Sequence, residues 1–265
     1  MNAHGTARLW LKLAALAPAF LIGLPVQALL LRMRPALARR LPVLFHRYLC
    51  LVLGVRRRTL VGTPPQGAAL ILSNHVSWLD IVVLGSLAPV SFIAKADVAG
   101  WPVFGTLARL QGTLFVDRTR RTATGTARDG IADRLAAGER MILFAEGTTS
   151  DGNRVLPYRS ALVGAALAER HDLPVALVPL ALCYTHRDGL PLTRRERPDI
   201  AWYGAMELLP HLKALLAGGP VDVAITWGQP LQPSDAADRK HLTRQAESFA
   251  RQAVAAGFRP SSNTI

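Results

Sequence analysis

The chain has 265 residues, and half of them are hydrophobic, which is enough for one sizeable α/β domain with a short appendage rather than for two catalytic domains. The 31 Lys and Arg against 18 Asp and Glu give a net charge of +13, and residues 1–79 hold ten of these cations and no acid. The two cysteines, Cys50 and Cys183, lie far apart, so their spacing predicts neither a disulfide framework nor a zinc site.

The excess of positive charge suits either nucleic acid or an anionic membrane, because both present phosphates. The positions of the basic residues in the sequence favour the membrane over nucleic acid. The early arginines, including the run Arg56 to Arg58, flank apolar segments in the way that juxtamembrane residues do. We therefore expect an anionic membrane surface as a partner and no nucleic acid.

The N-terminal segment contains two apolar stretches. Residues 13–31 carry no charge, and their length is close to the roughly 20 residues that a helix needs to cross a hydrocarbon core, although Pro18 and Pro25 would kink it. Residues 41–55 are shorter and fit a helix that lies in the membrane interface. Residues 1–55 are thus predicted to form a membrane-embedded helical hairpin that anchors the chain.

A cleaved signal peptide is the alternative, since Lys12 precedes the apolar run and residues 26–28 faintly resemble a cleavage site. The run is long for a signal peptide, and Arg32 and Arg34 follow it at once. By the positive-inside rule these arginines keep the rest of the chain in the cytoplasm. We expect a bacterial-type inner (cytoplasmic) membrane location, with the catalytic domain on the cytoplasmic side.

Beyond the hairpin, short apolar runs alternate with helical stretches, which indicates a layered α/β fold over residues 56–257, followed by a flexible tail over 258–265. The predicted strands are 69–73, 91–94, 113–116, 141–145, 175–182 and 221–227. The predicted helices are 78–87, 124–137, 159–169 and 234–256, the last with Ser234 as its N-cap.

A polar segment, residues 73–80, follows the first of these strands and opens a helix. On a continuous helix His75 and Asp80 would point ~140° apart, so they meet only if His75 lies in the turn and Asp80 in the first helical turn. The carboxylate would then fix the imidazole tautomer and leave the other ring nitrogen as a base. Ser77 is the local candidate for a nucleophile, and the alternative is that Asp80 is only a helix-dipole acid.

Four blocks of residues in sequence order resemble the phospholipid/glycerol acyltransferase family, which includes the lysophosphatidate acyltransferases. They are Asn74 and His75 with Asp80, then residues 112–118, then 144–148, then 178–180. The resemblance covers roughly residues 56–230. It implies a glycerolipid acyltransferase-type fold, in which a layered sheet is flanked by helices, with His75 and Asp80 as the catalytic pair.

The resemblance also implies substrate-binding roles. In the family the residues that match Glu146, Gly147 and Thr148 hold the glycerol phosphate, and Lys95 matches a lysine that helps bind phosphate. From its own position at the end of a predicted strand, Arg118 can reach the headgroup, and a plain surface arginine is the alternative. No metal or cofactor is expected. The acyl group would come from a thioester co-substrate, either acyl coenzyme A or acyl-acyl carrier protein, and acyl carrier protein is then a further partner.

The chain departs from the family at Thr149, because many members that use phosphate have an arginine there. The alternative is that Arg154 or Arg159 supplies the cation from a shifted position. Residues 146–154 also look like the bacterial branch that includes lyso-ornithine lipid acyltransferases, whose acceptor has no phosphate. The first expectation is acylation of 1-acyl-sn-glycerol 3-phosphate to phosphatidic acid. The alternatives are a lyso-ornithine lipid acceptor and a non-catalytic membrane-binding protein.

Overall fold

A computed structural model describes residues 3–117, 121–167, 175–231 and 239–259, without the side chains of residues 3, 58–60 and 121–124. The helices are α1 (Ala3–Met33), α2 (Pro35–Ala38), α3 (Leu41–Leu53), α4 (Leu79–Gly85), α5 (Phe104–Leu110), α6 (Arg121–Ala136), α7 (Leu208–Ala217) and α8 (Arg239–Gly257). The strands are β1 (Val55–Val61), β2 (Ala69–Ser73), β3 (Ser91–Lys95), β4 (Leu114–Val116), β5 (Arg140–Phe144), β6 (Ala176–Arg187), β7 (Leu190–Pro191) and β8 (Val221–Trp227).

One mixed sheet organises the chain, in the order β1-β8-β6-β2-β5-β3-β4, with β7 beside β6. The strands from β6 to β4 run parallel, whereas β8 runs antiparallel to β6. The carboxyl ends of the parallel strands therefore share one edge, which is where open α/β sheets hold their sites.

Helices cover both faces of the sheet, because alternate residues of a strand point to opposite sides. Ala69 and Ile71 of β2 belong to a core that includes residues of α3, α4 and α7. Leu70 and Leu72 belong to a second core, with α6 and α8. This arrangement confirms the predicted layered α/β fold.

The N-terminal helices form the predicted hairpin, and they pack along the domain rather than projecting from it. Lys12 of α1 donates hydrogen bonds to the carbonyls of Leu53 (3.2 Å) and Gly218 (3.1 Å), which lie at the ends of α3 and α7. Further along α1, Gln27 bonds to the carbonyl of Leu110 at the end of α5. Both halves of α1 are therefore fixed to the sheet's helical cover. Within the described residues, α1 is the one helix long and apolar enough to cross a membrane.

Most predicted elements are confirmed with small shifts in their ends. The strands at 69–73 and 221–227 have the predicted bounds, while the predicted strand at 175–182 continues as β6 to Arg187. Pro179 lies inside that central strand. The nitrogen and the carbonyl of one strand residue face the same neighbouring strand. The Pro179 carbonyl accepts a bond from Gly228 N, just after β8, so the Pro179 nitrogen also faces that side, and its missing N–H removes no bond to β2.

Two predictions need correction. The run Arg56 to Arg58, interpreted as a juxtamembrane flank, lies in β1, which pairs with β8. The side chain of Arg56 contacts Asp222 at 2.5 Å, and that of Arg57 bonds to Ser86. The predicted helix at 159–169 is reduced, in its described part, to a 3₁₀ turn over Val163–Leu167.

The backbone before that turn is hydrogen-bonded to other segments of the chain. Arg159 N bonds to Ala145 O at 2.8 Å, and Tyr158 N bonds to the Glu247 carboxylate. These bonds hold the segment extended where a helix was expected. The predicted N-cap Ser234 and the tail from residue 260 lie outside the described residues, and α5 and α7 are helices that the sequence did not predict.

Candidate active site

His75 and Asp80 meet at the carboxyl edge of the sheet. β2 ends at Ser73, His75 lies in the turn that follows, and Asp80 lies in the first turn of α4, as the spacing required. His75 Nδ1 and Asp80 Oδ2 are 2.7 Å apart. Because the carboxylate accepts this bond, Nδ1 carries the proton and Nε2 keeps its lone pair.

Asp80 is fully buried, yet every side of its carboxylate has a donor. Oδ2 also accepts hydrogen bonds from the backbone N–H groups of Val76 (2.7 Å) and Ser77 (3.0 Å), and Oδ1 accepts one from the Tyr184 hydroxyl (2.7 Å). Burial, and then the charge of Asp80, raise the pKa of Tyr184 well above its ordinary value. The phenol therefore stays a proton donor, and Asp80 is held in one orientation.

The imidazole itself is fixed by packing. Its ring stacks on Phe144, with centroids 3.8 Å apart and planes within 10°. The neighbouring Asn74 exchanges two 2.8 Å hydrogen bonds with the backbone of Leu182, which ties the end of β2 to β6. Asn74 therefore positions the turn and is not a ligand for substrate.

Ser77 does not serve as the nucleophile that its position suggested. Its side chain is fully buried and its residue is not among those that line the cavity beside His75. A substrate carbonyl cannot reach that hydroxyl without unfolding the turn. The arrangement instead suits a histidine that acts directly on a substrate proton.

Glu146 lies behind His75, away from the cavity. One carboxylate oxygen accepts the backbone N–H of His75 (2.8 Å) and the other accepts that of Leu156 (2.9 Å). Burial raises the pKa of Glu146 to about 8, against the lowering by these two N–H groups. The geometry gives Glu146 a positioning role, and its predicted contact with substrate stays a prediction.

A cavity of about 1000 Å³ opens beside His75, between the sheet edge and the α1–α3 hairpin. Its walls are mainly apolar side chains of α1, α3 and α5, and His75, Lys95, Gly147 and Thr148 line the same space. Gly147 has φ +73°, a conformation that glycine adopts without strain, and it turns the chain around the cavity after β5. Four of the predicted site residues are thus brought together.

The predicted phosphate ligands are sparse in this cavity. Lys95 is 58% exposed and forms an ion pair with Asp97, and among the described lining residues it is the one Lys or Arg. Thr149 lines the cavity where an arginine was expected, and neither Arg154 nor Arg159 does so. Arg118 lies outside the described residues.

The sequence analysis missed Tyr184, because the residue follows the predicted end of its strand. In the sequence, Tyr184 stands out only as a polar side chain at the end of an apolar run, residues 176–184. The described residues contain no group of three His, Cys, Asp or Glu side chains that could hold a metal ion. The site combines a partly exposed His75, a buried Asp80 and an apolar cavity.

Comparison with known proteins gives consistent matches. A family model described as Acyltransferase matches residues 55–182. A lyso-ornithine lipid O-acyltransferase of Brucella abortus is 47% identical over 93% of this chain and 94% of its own length. A lyso-ornithine lipid O-acyltransferase of Rhizobium meliloti is 43% identical over 84% of this chain and 78% of its own length.

One solved structure shares the fold. The crystal structure of the 1-acyl-sn-glycerophosphate acyltransferase from Thermotoga maritima aligns with a TM-score of 0.64 over 96% of this chain and 97% of that chain. The identity is 19%, so this likeness supports the layered sheet and its helical cover and carries no information on the acceptor.

Proposed function

The chain belongs to the acyltransferase family, and from that premise we propose that it transfers a fatty acyl group from a thioester to the free hydroxyl of a lyso-ornithine lipid. The observation that carries the proposal is the His75–Asp80 pair at 2.7 Å, which opens to an apolar cavity that buried Ser77 does not line. The acceptor thus differs from the first expectation, lysophosphatidate.

Two observations support the phosphate-free acceptor. The relatives at 47% and 43% identity are both named lyso-ornithine lipid O-acyltransferases. The described lining residues also provide Lys95 alone as a Lys or Arg, and that lysine is paired with Asp97. A phosphate monoester carries up to two negative charges, and one solvated, partnered lysine is a weak ligand for it.

In the proposed mechanism, Nε2 of His75 removes the proton from the acceptor hydroxyl. The oxygen then attacks the thioester carbonyl, the bond from carbon to sulfur breaks, and the imidazolium returns its proton to the thiolate. Asp80 stabilises the imidazolium and keeps the ring oriented, while Glu146 fixes the His75 backbone. The hydroxyl is thereby converted to an ester without an acyl-enzyme.

The acceptor assignment is tested by direct competition. The purified full chain in mixed micelles is given lyso-ornithine lipid and lysophosphatidate at equal concentration, with acyl coenzyme A and acyl-acyl carrier protein as alternative donors. We expect the ornithine lipid to be acylated at least tenfold faster. Faster acylation of lysophosphatidate with both donors would contradict the assignment of lyso-ornithine lipid as the acceptor. The same assay identifies the thioester carrier.

The apolar N-terminal helix associates the chain with a membrane, and we propose the inner membrane with the catalytic domain on the cytoplasmic side. The hairpin presents a broad apolar face, with exposed side chains at Trp10, Leu11, Leu21, Ile22, Leu29, Met33, Leu44 and Leu51. Arg32 and Arg34 follow the apolar run directly, as cytoplasmic residues do.

This location is tested by adding protease to right-side-out and inverted inner-membrane vesicles. Digestion of the catalytic domain only in inverted vesicles is expected. Digestion in the right-side-out vesicles would place the domain on the other side. A high-salt wash of the same vesicles separates apolar anchoring, which survives the wash, from a purely ionic attachment.

A further inference from the structure

The loop that follows β5, residues 146–150, is fixed at both ends to the backbone of His75. The Glu146 carboxylate accepts the N–H of His75 at 2.8 Å, and the N–H of Ser150 donates to the carbonyl of His75, also at 2.8 Å. Residues 147–149 therefore pass around His75 from its N–H side to its carbonyl side. All three line the same cavity as the imidazole.

Two consecutive backbone N–H groups of this loop remain unpaired in the part of the chain that the structure describes. The N–H of Gly147 donates to the carbonyl of Phe144 at 3.1 Å, and that of Ser150 is used in the bond just given. Between them, neither Thr148 N nor Thr149 N has an acceptor among the described residues. The pair follows Gly147, whose φ of +73° turns the chain out of β5.

These two N–H groups face open space. A backbone N–H that is enclosed by protein almost always finds an acceptor, whereas Thr148 is exposed and Thr149 is half-buried. The open space against the loop is the cavity, because both residues line it together with His75. Successive N–H groups without an acceptor form concave sites for anions. Two such donors are therefore available to a ligand beside the imidazole.

We propose, resting on the acyl transfer proposed above, that the N–H groups of Thr148 and Thr149 form the oxyanion hole of the reaction. When the acceptor oxygen bonds to the thioester carbon, the electron pair of the C=O bond moves onto the carbonyl oxygen, which becomes an anion. One such oxygen accepts two N–H bonds at once. When the intermediate collapses, the C=O bond forms again, the bond from carbon to sulfur breaks, and the thiolate receives the proton held by His75.

The described cavity wall offers little other positive charge for this anion. Lys95 is its one Lys or Arg, and that lysine is paired with Asp97. The loop is also bonded at both ends to His75, so the two N–H groups keep their places relative to the base as negative charge develops. Donors that are held in place in this way lower the barrier because they do not have to reorganise during the reaction.

The test removes one N–H group at a time and keeps the side chain. The α-hydroxy analogue of threonine is incorporated at position 148 or 149 of the full chain by cell-free translation, which replaces the peptide N–H by an ester oxygen. We expect kcat to fall about 10²-fold in each variant, as on loss of one oxyanion donor, with KM for the lysolipid changed less than about threefold. The same exchange at Thr193, whose N–H bonds to Glu196 at an exposed position, is the matched control and should keep the wild-type kcat.

A second donor distinguishes an oxyanion hole from mere support of the loop. Acyl coenzyme A is compared with its dithioester analogue, in which sulfur replaces the carbonyl oxygen and accepts hydrogen bonds only weakly. The ratio of kcat with the oxygen donor to kcat with the sulfur donor should be about tenfold larger in the wild-type chain than in either variant.

Three other outcomes are decisive. Equal losses of kcat with both donors would give the loop a purely structural role and overturn the proposal. A raised KM for the lysolipid at unchanged kcat would overturn it as well, because the N–H groups would then bind an anionic headgroup. Absence of acyl transfer in the wild-type chain would instead refute the proposed function.

Discussion

Two parts of the cavity wall differ in how their buried polar side chains are held. At the catalytic edge, both oxygens of Asp80 are saturated by N–H and O–H donors. On the wall formed by α1, α3 and α5, Gln27 and His46 bond to groups of neighbouring helices, and each keeps one polar atom without a partner in the described residues. A fully satisfied network fixes one geometry, whereas a partly satisfied one determines its geometry less strongly. The contrast separates residues that hold the proposed catalytic geometry from residues that join the helices of the cavity wall.

The largest effect should come from removing the base at the catalytic edge. His75→Ala is expected to lower kcat about 10³-fold, in the range that general base catalysis contributes, with little change in stability. His241→Ala, an exposed histidine on α8, is the matched control and should retain full activity. If His75→Ala kept even a tenth of the rate, the saturated network would not be the catalytic one.

The titration of Glu146 tests whether the stability of the hydrogen bonds behind His75 depends on pH. Its pKa is raised from 4.5 to about 8, so the folded state binds more protons than the unfolded state between these values. The free energy of unfolding should therefore fall as pH rises from about 5 to 8, by up to about 1.4 kcal/mol per pH unit from this group.

Chemical unfolding in detergent at several pH values measures this slope. Glu146→Gln removes the titrating group and should flatten that part of the pH dependence, while Glu207→Gln, at an exposed position, should leave the wild-type slope. An unchanged slope in Glu146→Gln would assign the pH dependence to other residues.

Substitution of two buried tyrosines compares a hydroxyl that has a hydrogen-bond partner with one that has none in the described residues. Tyr184→Phe leaves Asp80 Oδ1 without its hydroxyl donor, and it should cost about 1–3 kcal/mol of unfolding free energy and lower kcat by about tenfold. Tyr158→Phe removes a buried hydroxyl with no partner in the described residues, so its effect on stability should be neutral or slightly favourable. Equal losses in both variants would remove the distinction.

The smallest effect is expected where a charge is added to the wall near His75. Thr149→Arg places a cation where the sequence lacks the family's arginine, and it should improve the use of lysophosphatidate relative to lyso-ornithine lipid by several fold, or ~1 kcal/mol. Competition between the two acceptors measures the ratio, and Thr149→Gln controls for side-chain size. A ratio that does not move would show that the headgroup lies elsewhere.

Much of the catalytic edge could be predicted from the sequence. The five-residue separation of His75 and Asp80 fixed where each must lie relative to the start of α4, because helix geometry leaves only one arrangement in which they meet. Apolar runs predicted most strands closely, since burial on both faces selects β-type residues. The interpretation of the run Arg56 to Arg58 as a membrane flank was wrong, because Asp222, the partner of Arg56, is remote in sequence.

By itself, the sequence determined the layered α/β fold and the apolar hairpin, which rest on composition and periodicity. The family and the proposed catalytic pair came from the resemblance of four blocks. Only the tertiary structure decided which polar groups are satisfied. Tyr184 of β6 reaches Asp80 of α4, Glu146 turns to the backbone of His75, and Gln27 and His46 line the cavity from different helices. Hydrogen-bond partners and burial depend on contacts between distant segments, which no local pattern specifies.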